Sequence, residues 1–127
     1  MPRGGSRPGA GRKPVLGNGA SMVTVHAEDR YWKRIDRSRR HLPKSPTGSV
    51  ISRAEALRRA TVALAEAAAK GEAVASTPRG AHARPFNMPL RAEERAAAEA
   101  AAEAAGISLA DFIRTAGDRL AKSFGIH

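Results

Sequence analysis

Cysteine is absent from the 127-residue chain. Its absence excludes a disulfide scaffold, thiolate catalysis and cysteine-ligated zinc. Aromatic side chains are scarce, 4% of the total: Tyr31, Trp32, Phe86, Phe112 and Phe124. No stretch approaches the roughly 18 consecutive apolar residues of a membrane span, so no membrane partner is expected. The glycine- and arginine-rich N-terminus lacks the apolar centre of a secretory signal. The four histidines, at positions 26, 41, 82 and 127, show no metal-ligand spacing. No nucleophile sits in a pattern with a base, so neither an enzyme nor a cofactor is expected.

Negative charge is also in short supply. Lysine and arginine number 22 against 12 acidic residues, a formal net charge of +10. Such a field favours polyanions through charge neutralisation and counterion release, which points to nucleic acid. Residues 1–21 contain Arg3, Arg7, Arg12 and Lys13 and no acid, and they are otherwise mostly Gly, Ala, Pro and Ser. A segment of that composition cannot bury enough apolar surface to fold, so a disordered basic arm is expected. Arg7-Pro8-Gly9 and Gly11-Arg12-Lys13-Pro14 have the flavour of an AT-hook minor-groove clamp but lack its uninterrupted core. Arg7, Arg12 and Lys13 are therefore candidates either for the minor groove or for phosphates without sequence preference. Residues 22–70 hold eleven basic and five acidic side chains, for a net +6. Residues 71–84 mix Gly, Pro, Ser and Thr and read as a linker. From 85 to 127, five basic and six acidic residues nearly cancel.

Two stretches of the chain read alike. Met22-Val23-Thr24-Val25-His26-Ala27 alternates like a strand, and a helix is expected from about Asp29 to Leu42 and another from Ser52 to about Lys70. Pro85-Phe86-Asn87-Met88-Pro89-Leu90 alternates likewise, followed by helices over about Ala92–Ala105 and Ser108–Ser123. Strand and first helix superpose at an offset of 63 residues (Val23 on Phe86, Val25 on Met88), and the second helices at 56 (Leu57 on Ile113, Arg58 on Arg114). The difference is a longer interhelical loop in the first stretch, within residues 43–50. Ser52-x-x-Glu55 and Ser108-x-x-Asp111 are capping-box patterns preceded by Ile51 and Ile107 in the staple position. Tyr31, Trp32, Ile35, Ser38 and Leu42 form an apolar stripe on the first helix, with basic residues on its other side. That basic side reads chiefly as a solvated face, part of which senses phosphate. Each stretch is near the size at which a chain needs a partner, and a lone short strand is unstable. The expected solution pairs the two strands antiparallel above four helices, and a 14-residue linker reaching up to ~46 Å is ample for the crossing.

Strand, helix and capped second helix, in that order and twice over, resemble the ribbon-helix-helix family of Arc-, MetJ- and CopG-type repressors. The second stretch, PFNMPLRAEERAAAEAAAEAAGISLADFIRTAGDRLA, also resembles the DNA-binding part of ribbon-helix-helix antitoxins. The fold class implied is mainly α with a short two-stranded antiparallel ribbon, two β-α-α copies (22–70 and 85–127) forming one intramolecular pseudo-dimer. The resemblance implies sequence-specific binding of double-stranded DNA, with the ribbon in the major groove. Val23, Val25, Ala27, Phe86, Met88 and Leu90 then turn inward, and Met22, Thr24, His26 and Asn87 face the base edges with Pro85 and Pro89. An asparagine can pair bidentately with adenine, and a threonine can bond a base or touch a thymine methyl. Read without the family, Thr24 and His26 are outward polar residues of an edge strand. Ser52, Arg53 and Ser108 are implied phosphate contacts at helix N-termini, although the serines also make sense as caps alone. Pro85 and Pro89 depart from the family pattern, since neither donates a backbone hydrogen bond, and a weakened ribbon is expected. The role implied is transcriptional repression. The alternative is a relaxosome accessory or partition protein of a plasmid or other mobile element. Further implied partners are a second copy on DNA and a relaxase or other mobile-element protein, in the cytoplasm of a bacterium, at the nucleoid. With His127 close behind the last helix, little tail is expected for a toxin.

Overall fold

Alternating side chains in two short segments produce the only sheet among the described residues, which are 21–127 of the computed structural model. Strand β1 (Ser21–Ala27) pairs antiparallel with β2 (Arg84–Leu90), and the register runs from Ser21 opposite Leu90 to Ala27 opposite Arg84. Helices α1 (Asp29–Arg39) and α2 (Arg53–Ala69) lie between the strands in sequence, and α3 (Ala92–Ala105) and α4 (Leu109–Ser123) follow β2. The architecture is thus four helices and one two-stranded antiparallel sheet. Both strands are one residue longer than the alternation alone indicated. Ser21, counted with the arm, is tied down by Leu90 across the ladder and by Arg95, whose Nη1 donates to Ser21 Oγ at 2.9 Å.

Helix α1 stops three residues short of Leu42. Arg40, His41 and Leu42 instead donate to carbonyls three residues back, a tightened last turn. Pro43 supplies the reason, because its ring disfavours a helical conformation in the residue before it. At α2 and α4 the serine half of each capping pattern forms: Ser52 Oγ accepts from Glu55 N–H and Ser108 Oγ from Asp111 N–H, both at 3.1 Å. The carboxylate half does not, since Glu55 turns to Arg58 and Arg59, and Asp111 turns to the linker. Gly106 ends α3 with φ 76°, and Ile107 N–H reaches back to Ala102 O at 3.0 Å.

The core has two layers. Beneath the sheet, Val23, Val25, Met88 and Leu90 meet Trp32 and Ile35 of α1, Leu57 of α2 and Ile113 of α4. Deeper, Ala60 and Leu64 of α2, Ala98 and Ala102 of α3, and Phe112 and Ala116 of α4 form a second cluster. Burying a large apolar side chain contributes about 1.5–3 kcal/mol, so Phe112 and Leu64 anchor an interface that alanines otherwise merely bring close. Helices α2 and α4 form the central pair, and α1 and α3 flank it, each packed against both. Tyr31 crosses from α1 to donate to Arg114 O at 2.8 Å, and burial pushes its phenol well above the ordinary value of 10.0.

The linker is not a free tether. Thr77 N–H (2.7 Å) and Ser76 Oγ donate to the Asp111 carboxylate, Arg114 Nε donates to Thr77 O at 2.7 Å, and Thr115 Oγ1 donates to Ala75 O at 2.7 Å. These bonds strap residues 75–77 along the first turns of α4.

Candidate nucleic-acid interface

Side chains alternate across a strand, so one face of the ribbon is buried and the other presents Met22, Thr24 and His26 opposite Pro89, Asn87 and Pro85. Met22 is 60% exposed, Thr24 and Asn87 are exposed, and His26 is half-buried. Thr24 and Asn87 are direct cross-strand partners at the middle of the seven-residue ladder. Thr24 Oγ1 donates to Asn87 Oδ1 at 2.6 Å. The acceptor oxygen keeps a second lone pair, and the Nδ2 amide carries two donors. The pair therefore presents a fixed donor–acceptor edge at the centre of the outer face, with apolar Met22 and Pro89 on one side and His26 and Pro85 on the other.

Pro85 and Pro89 do not interrupt the ribbon, whose pairing runs through both positions. In an antiparallel ladder every second residue turns its N–H away from the partner strand. Positions 85, 87 and 89 belong to one set, and 84, 86, 88 and 90, all able to donate, belong to the other. Prolines in the outward set cost no ladder bond. The same parity places Thr24 and Asn87 in the class of pair with the closer side chains, which suits their hydrogen bond.

The N-termini of α2 and α4 both begin at the ribbon. Ala54 and Leu109 pack against the cluster beneath it, and Ser52 and Ser108 are exposed at the helix ends. Arg53 is committed within the protein to a degree the sequence did not indicate. Its Nε and Nη2 form a fork on Asp36 at 2.9 and 2.7 Å, and its guanidinium lies 5.4 Å from the Trp32 ring and 5.2 Å from Phe86. Among the described residues its Nη1 makes no hydrogen bond, which leaves the two N–H groups of that nitrogen for an outside anion. The hydrogen bonds from Arg53 hold the Asp36 carboxyl below its ordinary range. Trp32, expected in the core, is 4% exposed and donates Nε1 to Arg84 O at 3.3 Å.

Arg58 and Arg114 escaped notice as working residues. Arg114, 8% exposed, joins three segments: its Nη1 donates to His26 O at 3.1 Å, its Nε donates to Thr77 O, and Nη2 lies 3.7 Å from Asp111. Arg58 joins Glu55 at the start of α2 to Glu94 at the start of α3. Its hydrogen bonds hold the Glu55 carboxyl below its ordinary range, aided by Arg59. Their matching positions at the 56-residue offset were the available signal. Arg7, Arg12 and Lys13 lie outside the described residues.

The described residues contain no group of three metal-ligating side chains, and no described helix is long and apolar enough to cross a membrane. Comparison with known protein families, curated proteins and solved structures finds no match to this chain.

Proposed function

We propose that this chain is a tandem ribbon-helix-helix protein that binds double-stranded DNA sequence-specifically, with its β1–β2 ribbon in the major groove. The observation that carries the reading is the outer face of the ribbon. One exposed, mutually oriented Thr24–Asn87 pair lies at its centre, and the N-termini of two capped helices begin at the same layer. A major groove about 12 Å wide admits a two-stranded ribbon. In that position the Asn87 amide reads an adenine edge, Met22 meets thymine methyls, and His26 offers a donor or acceptor. The free backbone N–H groups at Ser52 and Ser108 take phosphates and set the depth of the ribbon. The net charge of +10 supplies attraction without sequence preference.

In this reading the two β-α-α segments are unlike halves of one pseudo-dimer, so the minimal site is asymmetric rather than palindromic. Occupation of an operator, and so repression, is the role proposed. The same ribbon serves equally as a relaxosome accessory or partition protein bound at a transfer origin or centromere-like site. Selection of bound sequences from a random duplex pool at about 150 mM salt tests the proposal, because non-specific affinity falls steeply with salt. A short discrete asymmetric motif is the expected result. Recovery of nothing beyond general or A·T-rich duplex would overturn it.

A further inference from the structure

The two flanking helices carry opposite charge at matching positions. Helix α1 begins at Asp29 and α3 at Ala92, an interval of 63 residues that also separates the ribbon partners Thr24 and Asn87. Arg30, Lys33, Arg37 and Arg40 follow helical spacing along a single ridge of α1 and its cap. All four are exposed, and among the described residues none has a carboxylate within 4.0 Å, whereas Arg34, Arg39, Arg53, Arg58, Arg59, Arg84, Arg95, Arg114 and Arg119 do. The matching positions on α3 are Glu93, Ala96, Ala100 and Glu103, also exposed, and neither glutamate makes an ion pair among the described residues.

At 100° per residue each ridge lies about 180° from the buried face of its helix, Tyr31, Trp32 and Ile35 in one case and Ala98 and Ala102 in the other. The ridges therefore point away from the molecule on its two flanks. Both acid–base positions are ten residues apart, about 15 Å along a helix.

From this inversion we infer that α1 of one molecule docks antiparallel on α3 of a second copy. Arg30 meets Glu103, Arg40 meets Glu93, and the stems of Lys33 and Arg37 lie over Ala100 and Ala96. The alanines allow close approach, and the long basic stems cover apolar surface while their charges stay wet. Such a contact joins unlike surfaces, so it does not close on two copies but repeats along a line. Two identical chains could not form this polarity in a symmetric dimer; one chain with unlike halves can. The inference rests on the DNA reading insofar as duplex supplies the line and neutralises the +10 charge that otherwise keeps copies apart.

The test compares binding of the full chain to mixed-sequence duplexes of about 12 and about 30 base pairs, room for one molecule and for more than one. The second molecule on the longer duplex is expected to bind about tenfold tighter than the first, within the usual range of coupling between sites. Glu93→Arg with Glu103→Arg adds positive charge, so affinity for the short duplex rises while the tenfold ratio falls to one. Mixing that variant with Arg30→Glu/Arg40→Glu restores the ratio. A wild-type ratio of one, or a ratio that survives the glutamate substitutions, overturns the contact. If the ratio survives and Arg30→Glu/Arg40→Glu weakens binding to the short duplex, the ridge lies on phosphates and the inference is wrong. Failure to bind the short duplex overturns the DNA reading and the array together, whereas binding with a ratio of one overturns the array alone.

Discussion

Gly117 of α4 faces Tyr31 and Ile35 of α1 and Leu57 of α2, and replacing it by alanine sets two effects of opposite sign against each other. In a helix interior alanine is better than glycine by about 1 kcal/mol, so an uncrowded position would gain stability. Gly117 is crowded. A methyl there would overlap Tyr31 Oη and press on Ile35 Cδ1 and Leu57 Cδ1. Displacing the phenol breaks its buried hydrogen bond to Arg114 O, which costs about 1–3 kcal/mol. Overpacking against Ile35 and Leu57 adds about 1–3 kcal/mol more. Subtracting the propensity gain leaves a net loss of about 1–5 kcal/mol, with a fall in Tm of about 4 °C at the lower end.

Urea unfolding followed by helical circular dichroism measures this loss. Tyr31→Phe removes the hydroxyl that the new methyl would strike, so Tyr31→Phe/Gly117→Ala should be less destabilised than the sum of its single variants, with a coupling of about 1 kcal/mol or more. A Gly117→Ala protein as stable as the wild type would refute the reasoning, because propensity would then have outweighed a contact that is not there.

Four other outcomes can be measured. Asn87→Ala should flatten the selected DNA motif at its centre, at a cost of about 1–3 kcal/mol, and Thr24→Val should do the same in part by releasing the amide; a motif unchanged in both variants counts against the ribbon assignment. Asp36 and Glu55 are held below their ordinary values of 3.8 and 4.5 by hydrogen bonds from Arg53 and Arg58, respectively. For Asp118, burial alone would raise the carboxyl, but Lys122 and Arg34 together outweigh it and lower it from 3.8. Folding these carboxylates releases protons, so their contribution is full above about pH 4.5 and is lost as pH falls through the folded values; flat stability down to strongly acid pH would contradict the pairs. At the other end, Tyr31 resists ionisation when folded, so its contribution is present below pH 10.0 and declines above it, and Tyr31→Phe should remove that alkaline decline. Deleting residues 1–20, with their four cations, should weaken binding to every duplex and lower the salt slope by up to about 4.

The elements were legible because their signals are local. Alternation marked Val23 and Val25 against Met88 and Leu90 as the inner face of the sheet, and the capping serines marked where α2 and α4 begin. The bonds made by the linker are not legible in the sequence, for a related reason. Ser, Thr, Pro and Gly describe a segment that does not form a helix or strand, but they are silent about what its polar groups meet. Thr77 meets Asp111 and Arg114 across more than thirty residues, and no periodicity encodes such a pairing. The fork that Arg53 makes on Asp36 is hidden in the same way. An arginine at a helix start looks free to take an anion until Asp36, one helix away, is brought beside it.

Those long-range bonds bear on how alike the two ends of the ribbon are. At the start of α2, Glu55 is held by Arg58 and Arg59, and Arg58 continues to Glu94. At the start of α4, the corresponding Asp111 is held by the linker, and Arg114 continues to the backbone of β1 at His26. Arg58 and Arg114, matched at the 56-residue offset, thus have different partners, and the start of α4 is strapped by residues 75–77, a segment without a counterpart at α2 among the described residues. Two identical chains would meet DNA with two identical helix ends. Here the ends differ in charge, cover and tether, and the strands between them differ at every outward position: Met22, Thr24 and His26 against Pro89, Asn87 and Pro85. If the proposed DNA role holds, such a ribbon has one orientation on a duplex that satisfies both ends, and an asymmetric recognition sequence is the expected consequence.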